Sequence, residues 1–265
     1  MLTGMTEGDW AAVLKLFRAC RSRRGDKGRN DRKFLEALHY FTVHNVTWRA
    51  LPAEFGNWNS IWKRFWRLSQ AGCLRGLVRG ARREQPDRPS RADVRLHHRS
   101  GSCLSRRRPP GRRKRGASSE ALGRSRGGFS TKIHIKVDLD GLPLAFHLTP
   151  GQASDSRQFE ILLDLGSDIA PRAAVGDKGY DAKANRAAAR KRGICPVIPV
   201  KSSAKERPAF FPKALYRARA RIEQLVGKLK RFKRIALRCE KTNRNFGSFV
   251  AFALGLIILK SVHTA

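Results

Sequence analysis

Apolar residues recur at helical spacing near both ends of the chain and alternate strictly in one stretch between them. Trp10, Val13, Leu14 and Phe17 share one side of a helix that Thr6 is placed to cap. Phe34, Leu35, Leu38 and Phe41 form a second such stripe behind a cap at Asn30 or Asp31. "LPAEFGN" interrupts the pattern. Trp58, Ile61, Trp62, Phe65 and Leu68 then predict a third helix that stops at Gly72. Lys63, Arg64, Trp66 and Arg67 lie partly off that stripe. All five tryptophans precede residue 67, so residues 1–72 read as a small tryptophan-rich helical unit. Two readings of its basic face stay open: a solvated surface, or a helix-turn-helix-like DNA reader.

From residue 131 the period changes. Ile133, Ile135, Val137 and Leu139 alternate with polar residues, and Leu142, Leu144, Phe146 and Leu148 do so after Asp140-Gly141. Two alternating runs around an Asp-Gly turn predict a β-hairpin. His134 and His147 fall on its polar face and are expected to be exposed. "SRQFEILLDL" predicts a helix, with Asp155 placed as its cap. "RAAVGDKGYD" predicts a short strand running into Asp177, "DAKANRAAARKRG" a helix closed by Gly193, and "ICPVIPVK" a buried strand. Helices follow at about 213–233 and 245–262. This order predicts a mixed α/β sheet with flanking helices.

Between these regions, residues 73–115 hold fifteen Arg or Lys against three acids, and the reading gives them no helical or strand period. The chain thus divides into a helical unit (1–72), a basic irregular segment (73–115) and an α/β unit (116–265). The formal net charge is +35, which calls for a polyanionic partner; double-stranded DNA is the expected one. The basic segment supplies +12 of this (15 − 3), so +23 (35 − 12) remains without it. The charge alone also fits an RNA binder. The run "FVAFALGLIIL" (249–259) is too short to cross a bilayer and reads as a buried helix, so no membrane partner is expected. Cys20, Cys73, Cys103, Cys195 and Cys239 form no CxxC pair, which fits a reducing cytoplasm better than a disulfide framework or zinc finger.

The candidate chemistry lies in "ALYRARARIEQLVGKLK". Tyr216, Arg219, Glu223 and Lys230 fall within an arc of roughly 60° on a helix. Beside it runs the apolar stripe Ile222, Leu225, Val226, Leu229 and Phe232. One face packs while its neighbour presents a single carboxylate among cations. Asp177 lies just past a strand, where ligands gather in α/β sheets. Taken alone it reads as a turn aspartate. Paired with Glu223 it reads as half of a divalent-cation site, with Arg219, Lys230 and Lys178 near enough in sequence to hold phosphate oxygens. Arg124, Arg126 and Lys132 contact phosphate or face water.

"DKGYD", the Tyr-x2-Arg-x3-Glu-x6-Lys array and "ALGRSRGGFSTKIH" resemble the transposases of bacterial insertion sequences. The likeness is to the fifth insertion-sequence family of the DDE superfamily. "WRALPAEFGNWNSIWKRFWRLSQAG" resembles the helical domain that opens those proteins. The resemblance covers about 1–72 and 116–265. It implies a ribonuclease-H-like catalytic domain over 116–265, Mg²⁺ or Mn²⁺ cofactors, and cleavage and strand transfer of DNA at transposon ends. Asp177 matches the second catalytic and metal-binding acid and Glu223 the third. Tyr216, Arg219 and Lys230 match accessory positions near DNA, and Lys63, Arg64 and Arg67 of the helical domain join them as DNA-binding candidates. The resemblance also implies a homo-oligomer on DNA, acting in the bacterial cytoplasm at the nucleoid.

The family's first acid belongs to a strand before the hairpin, within Asp-Ser-Thr, and no such motif lies in 73–115. Asp93 is the nearest acid. Shifted by one base, with permitted codons, "DVRLHHRSGSCLSRRRP" becomes "MFDSTIVRAHVSAAGA", and "CLRGLVRGAR" becomes "VFEALFEALA". The restored Asp spans Arg95 and Leu96. Residues of about 73–115 are therefore read as the product of a frame offset, the alternative being a genuine, disordered basic linker. The first sheet strand is expected to be missing and the chain catalytically impaired. The alternative is a DNA-binding transposase derivative without chemistry.

Overall fold

The structure, a computed structural model, describes residues 4–21, 30–84, 94–102, 120–166, 171–200, 211–217 and 219–263. Helix α1 (Glu7–Cys20) starts at a capping box: Asp9 N–H donates to Thr6 Oγ1 at 3.2 Å and Thr6 N–H to Asp9 Oδ2 at 2.8 Å. It buries Trp10, Val13, Leu16 and Phe17. Helix α2 (Asp31–His44) buries Phe34, Leu35, Leu38 and Phe41 and ends at Asn45 in the left-handed conformation. The link to α3 (Trp58–Gln70) carries two 3₁₀ turns, at Trp48–Ala50 and Ala53–Phe55. That link is longer than the three- or four-residue turn of a helix-turn-helix. Asn57 Oδ1 accepts from Asn59 N–H and caps α3, which buries Ile61, Phe65 and Ser69.

Two expectations for residues 73–115 are corrected. Cys73–Arg83 forms helix α4, with Leu74, Leu77, Val78 and Ala81 buried against α1 and against α10 (Asn243–His263). Its apolar spacing was present in the sequence. Arg75, Arg79, Arg82 and Arg83 made the segment read as charge without period, yet arginine is a good helix former and occupies the turns between the apolar positions. Val94–Ser102 forms strand β1, so the first strand is present. Asp93 and residues 103–115 lie outside the described residues.

β1 is central. It pairs antiparallel with β3 (Gly128–Val137) from Arg95↔Val137 to Ser102↔Ser130, and parallel with β5 (Ala173–Val175) through Val94↔Ala174 and Arg95↔Val175. β5 pairs in parallel with β6 (Cys195–Val197). β2 (Gly123–Ser125) and β4 (Pro143–Pro150) pair antiparallel with β3, and prolines bound β4 at both ends. Helices α5 (Phe159–Asp164) and α6 (Lys183–Lys191) pack on one cluster with Ala174 and Tyr180. This is the mixed sheet of a ribonuclease-H-like domain, preceded by a helical region.

The predicted C-terminal helices also form. The first is split into α7 (Lys213–Arg217), α8 (Ala220–Lys230) and α9 (Lys233–Ala236), and Ile222, Leu225, Val226, Leu229 and Phe232 are buried. α10 is apolar on all sides and runs longer than the 249–259 stretch. Residues 243–261 are long and apolar enough to cross a membrane, and 78% of that window is buried inside the protein. One cluster joins α1–α4 to α8, α10 and the Ile133–Ile135–Val137 face of β3, so the core continues past residue 72. Arg234 ties the two parts. It pairs with Glu240, donates to Asn45 Oδ1 at 3.3 Å and to Val46 O at 3.1 Å, and lies 3.7 Å from the Phe41 ring centroid.

The hairpin forms as predicted, but His134 is fully buried and bonds Thr149 Oγ1 through Nε2 at 2.8 Å; His147 is half-buried. Neighbouring Lys136 is buried too and donates to the carbonyls of Leu163 and Leu165, ending α5. The alternation was legible, but a second layer covers the polar face.

Gly141 sits in the hairpin turn at φ +85°, and a Cβ there would lie 2.9 Å from Arg221 Cβ and 3.1 Å from its carbonyl oxygen. Gly141→Ala is expected to cost about 2 kcal/mol from left-handed strain and crowding. Gly227, helical and with nothing within 4 Å of such a Cβ, should gain about 0.5–1 kcal/mol on change to Ala. Urea midpoints of the two variants check both signs.

His39 is largely enclosed, edge-on to Trp10 at 5.7 Å and to Phe232 at 6.4 Å, and its Nε2 has no partner among the described residues. Burial, then the nearby His44 and Lys260 charges, push its pKa down to about 4. The folded value lies below the unfolded one, so the native state is fully favoured above pH 6.5. That stability falls as the unfolded chain takes up a proton between pH 6.5 and about 4. The expected loss by pH 4.5 is about 2–3 kcal/mol. Urea unfolding of His39→Leu between pH 7.5 and 4.5 should lack this component of the slope; an unchanged slope refutes the assignment.

Candidate active site

The ladder between β5 and β6 extends one residue further, where Gly176 N–H donates to Val197 O at 3.0 Å. Asp177 follows and caps the 3₁₀ turn Lys178–Tyr180, accepting from Gly179 N–H through Oδ1 at 2.9 Å. Small residues are needed here. A Cβ on Gly176 would meet the Tyr180 ring at 3.2 Å, and one on Gly179 would lie 3.0 Å from Asp177 Oδ1 and 3.7 Å from Asp155 Oδ2. Tyr180 anchors the turn in the core. Burial, then the charges of Asp177 and Asp155, hold its hydroxyl well above the ordinary range. Lys178 is exposed.

Asp155 makes no side-chain cap, contrary to expectation. It pairs with Lys132 Nζ at 2.8 Å, and the same amine donates to Ala153 O at 2.7 Å. Lys132 thus fastens the 153–155 loop beside the Asp177 turn. Sequence reasoning weighed Lys132 only as a phosphate or solvent contact. A lysine on the same alternating face as His134 and Lys136 was the available signal.

The Tyr-Arg-Glu-Lys array is split across a helix break. Tyr216 lies in α7, Arg219 at the junction, and Glu223 and Lys230 in α8. Arg219 N–H donates to Tyr216 O and Ile222 N–H to Arg219 O, so the backbone stays helical on both sides of the junction. Arg219 Nη2 reaches Glu223 Oε1 at 2.6 Å, and its guanidinium lies 5.8 Å from the Tyr216 ring centroid. The Glu223 side chain is 54% exposed, and such a surface pair stabilises by only about 0.3–0.5 kcal/mol. Tyr216 packs on the cluster of Ala173, Val175 and Val197, which places the start of the array against the strand that delivers Asp177. Gly227 leaves the surface between Glu223 and Lys230 without a side chain.

Backbone register places β1 beside the strand that runs into Asp177. Arg95 stands opposite Val175, two residues before Asp177. Val94–Ser102 reads VRLHHRSGS and contains no carboxylate. Among the described residues, no three His, Cys, Asp or Glu side chains gather to hold a metal ion. Asp177 accepts a backbone N–H, and Glu223 is ion-paired to Arg219. This donor set does not fit a two-metal site.

The other basic candidates divide by environment. Arg124 and Arg126 are exposed at the β2–β3 hairpin, Arg124 stacking 5.4 Å from the Phe129 ring centroid. Lys63 and Arg67 are exposed on α3. Arg64 turns inward to Asp31, whose side chain is 1% exposed and is also reached by Arg18 and Arg21. Cys20, Cys73, Cys195 and Cys239 are free thiols, and burial pushes Cys73 up to about 12.

Residues 97–258 match the family model described as "Transposase DDE domain", and residues 5–78 match "Putative transposase of IS4/5 family". Residues 79–96 lie between the two matches. The chain is 32% identical over 209 residues to the "Putative transposase for insertion sequence element IS402" of Burkholderia cepacia, covering 75% of this chain and 92% of the relative. It is 38% identical over 133 residues to the "Putative transposase for insertion sequence element IS6501" of Brucella ovis, covering 50% of this chain and 100% of the relative. A solved "Mos1 transposase paired-end complex with left transposon end" aligns with 80% of this chain and 82% of that one at 11% identity. Its TM-score is 0.26. The DDE match spans more than half of the chain and contains Asp177 and the whole Tyr216–Lys230 array, and on that ground the chain belongs to the DDE transposases of bacterial insertion sequences.

Proposed function

We propose that this chain binds double-stranded DNA at the ends of its element but is impaired in the metal-dependent cleavage and strand transfer of its family. The observation that carries this reading is the central strand β1, which lies beside the Asp177 turn and bears no carboxylate. Asp177 and Glu223 are the two acids of the remaining site. Mg²⁺ or Mn²⁺, when bound by the family, neutralises charge on the reacting phosphate. By backbone register Arg95 stands beside the strand that runs into Asp177, at the place taken here for the family's first acid. Tyr216, Arg219, Lys230 and Lys178 are assigned to the DNA next to the Asp177 turn. Arg124, Arg126, Lys63 and Arg67 are assigned to its backbone further out, and Arg64 supports α3 from within. The working form is a homo-oligomer on DNA at the nucleoid.

The missing acid is attributed to a frame offset within about 73–115, since a one-base shift supplies the Asp-Ser-Thr strand; the amphipathic helix α4 forms in the present frame and does not bear on the offset. The coding sequence of codons 70–118 tests this, and a neighbouring frame without Asp-Ser-Thr refutes it. Incubating the chain with transposon-end duplex tests the function. Binding that weakens steeply with salt, with no Mg²⁺-dependent nicking, is expected. Metal-dependent nicking by the chain as it stands overturns the impairment.

A further inference from the structure

The helical region contains a cavity that the strand-transfer reading does not use. It measures about 350 Å³ and lies between the start of α2, the turn at 53–57 and the first half of α3. Phe34, Phe55 and Ile61 line it, and Lys33, Arg64 and Arg67 contribute three cations. Arg64 is fixed: Asp31 holds its guanidinium, which lies 4.5 Å from the Phe34 ring centroid. Lys33 and Arg67 differ, being exposed and without an ion-pair partner among the described residues. The volume falls within the ~300–1,000 Å³ of small-molecule sites, larger than a lone phosphate requires. An aromatic lining receives the face of a nucleobase, while free cations receive its phosphate. Arg64, stacked and neutralised by Asp31, offers a flat polar surface between the two.

We infer that this cavity takes a single unpaired nucleotide of DNA, with the base against Phe55 and the phosphate at Lys33 and Arg67. The inference rests on the reading of the chain as a DNA binder and specifies a site within it. An unpaired nucleotide at a strand end enters without the cost of leaving a duplex stack.

The test is fluorescence anisotropy of the full chain with a blunt duplex and with the same duplex carrying a one-nucleotide overhang. The overhang is expected to bind about tenfold more tightly, the worth of one base stacked on an aromatic side chain. Phe55→Ala should bring the two affinities within about twofold of each other, and Lys33→Ala should narrow the gap, with blunt-duplex binding retained. If Phe55→Ala loses blunt-duplex binding as well, Lys33→Ala, at an exposed site, decides. Deoxyadenosine monophosphate should abolish the preference by competition. Blunt-duplex binding without overhang preference overturns this inference alone, whereas failure to bind either duplex overturns the proposed function. A preference that survives both substitutions removes it from this cavity. Binding of the mononucleotide without overhang preference assigns the cavity to a free nucleotide and likewise overturns the proposal.

Discussion

A chain whose residues 73–115 are replaced by the translation of the neighbouring frame is expected to nick transposon-end DNA at least about a hundred- to a thousandfold faster than the present chain. That is the usual scale for one group that stabilises transition-state charge. The physical argument starts from the sheet. β1 holds the place between β3 and β5, so on the proposed reading the repaired chain needs a new side chain and no new strand. At the register position opposite Val175 the sequence has Arg95, a positive charge where the proposed reading calls for a negative one. Metal-dependent chemistry on phosphates depends on carboxylates that offset the charge of the ions. The minimal variant is Arg95→Asp, expected to recover part of the gain. In the repaired chain, changing the restored aspartate to asparagine should return nicking to the present level. Equal nicking by the present and repaired chains, or indifference to the asparagine change, would sink the assignment.

Arg234→Ala should destabilise the protein by about 3–5 kcal/mol, the range for removing one partner of a buried ion pair. The Arg234 and Glu240 side chains are 9% and 8% exposed, so deletion leaves Glu240 buried without its guanidinium. It also strips donors from Asn45 and Val46 and the cation from the face of Phe41. Because these contacts join α9 to the end of α2, the loss falls on the joint between the helical region and the sheet domain. Urea midpoints measure it. The double variant Arg234→Met with Glu240→Gln should recover part of the loss, since an apolar or neutral pair avoids the stranded charge. A single-variant cost below about 1 kcal/mol would show the pair to be a surface-like contact.

The sequence by itself determined those features that depend on local periodicity and local turn chemistry. The Thr6 cap, the stripes of α1–α3, the Asp140-Gly141 hairpin and the apolar face of α8 follow from 3.6- and 2-residue repeats read over short windows. The settings of Asp177 and Glu223 were also legible, because a strand-end turn and an i, i+3, i+7, i+14 array on one helix face are local patterns. Tertiary structure alone decided which polar groups are enclosed. His134 and Lys136 have the alternation of a solvated face, but α5 and its loop cover that face and carbonyls satisfy the lysine. Arg64 has the spacing of a surface cation, but Asp31, distant in sequence, draws it inward. α4 and β1 were missed because charge density hid a weak apolar period. Their places are fixed by partners far along the chain: α10 for the helix, β3 and β5 for the strand. Burial and strand register are sums over such distant contacts, which no short window of sequence contains.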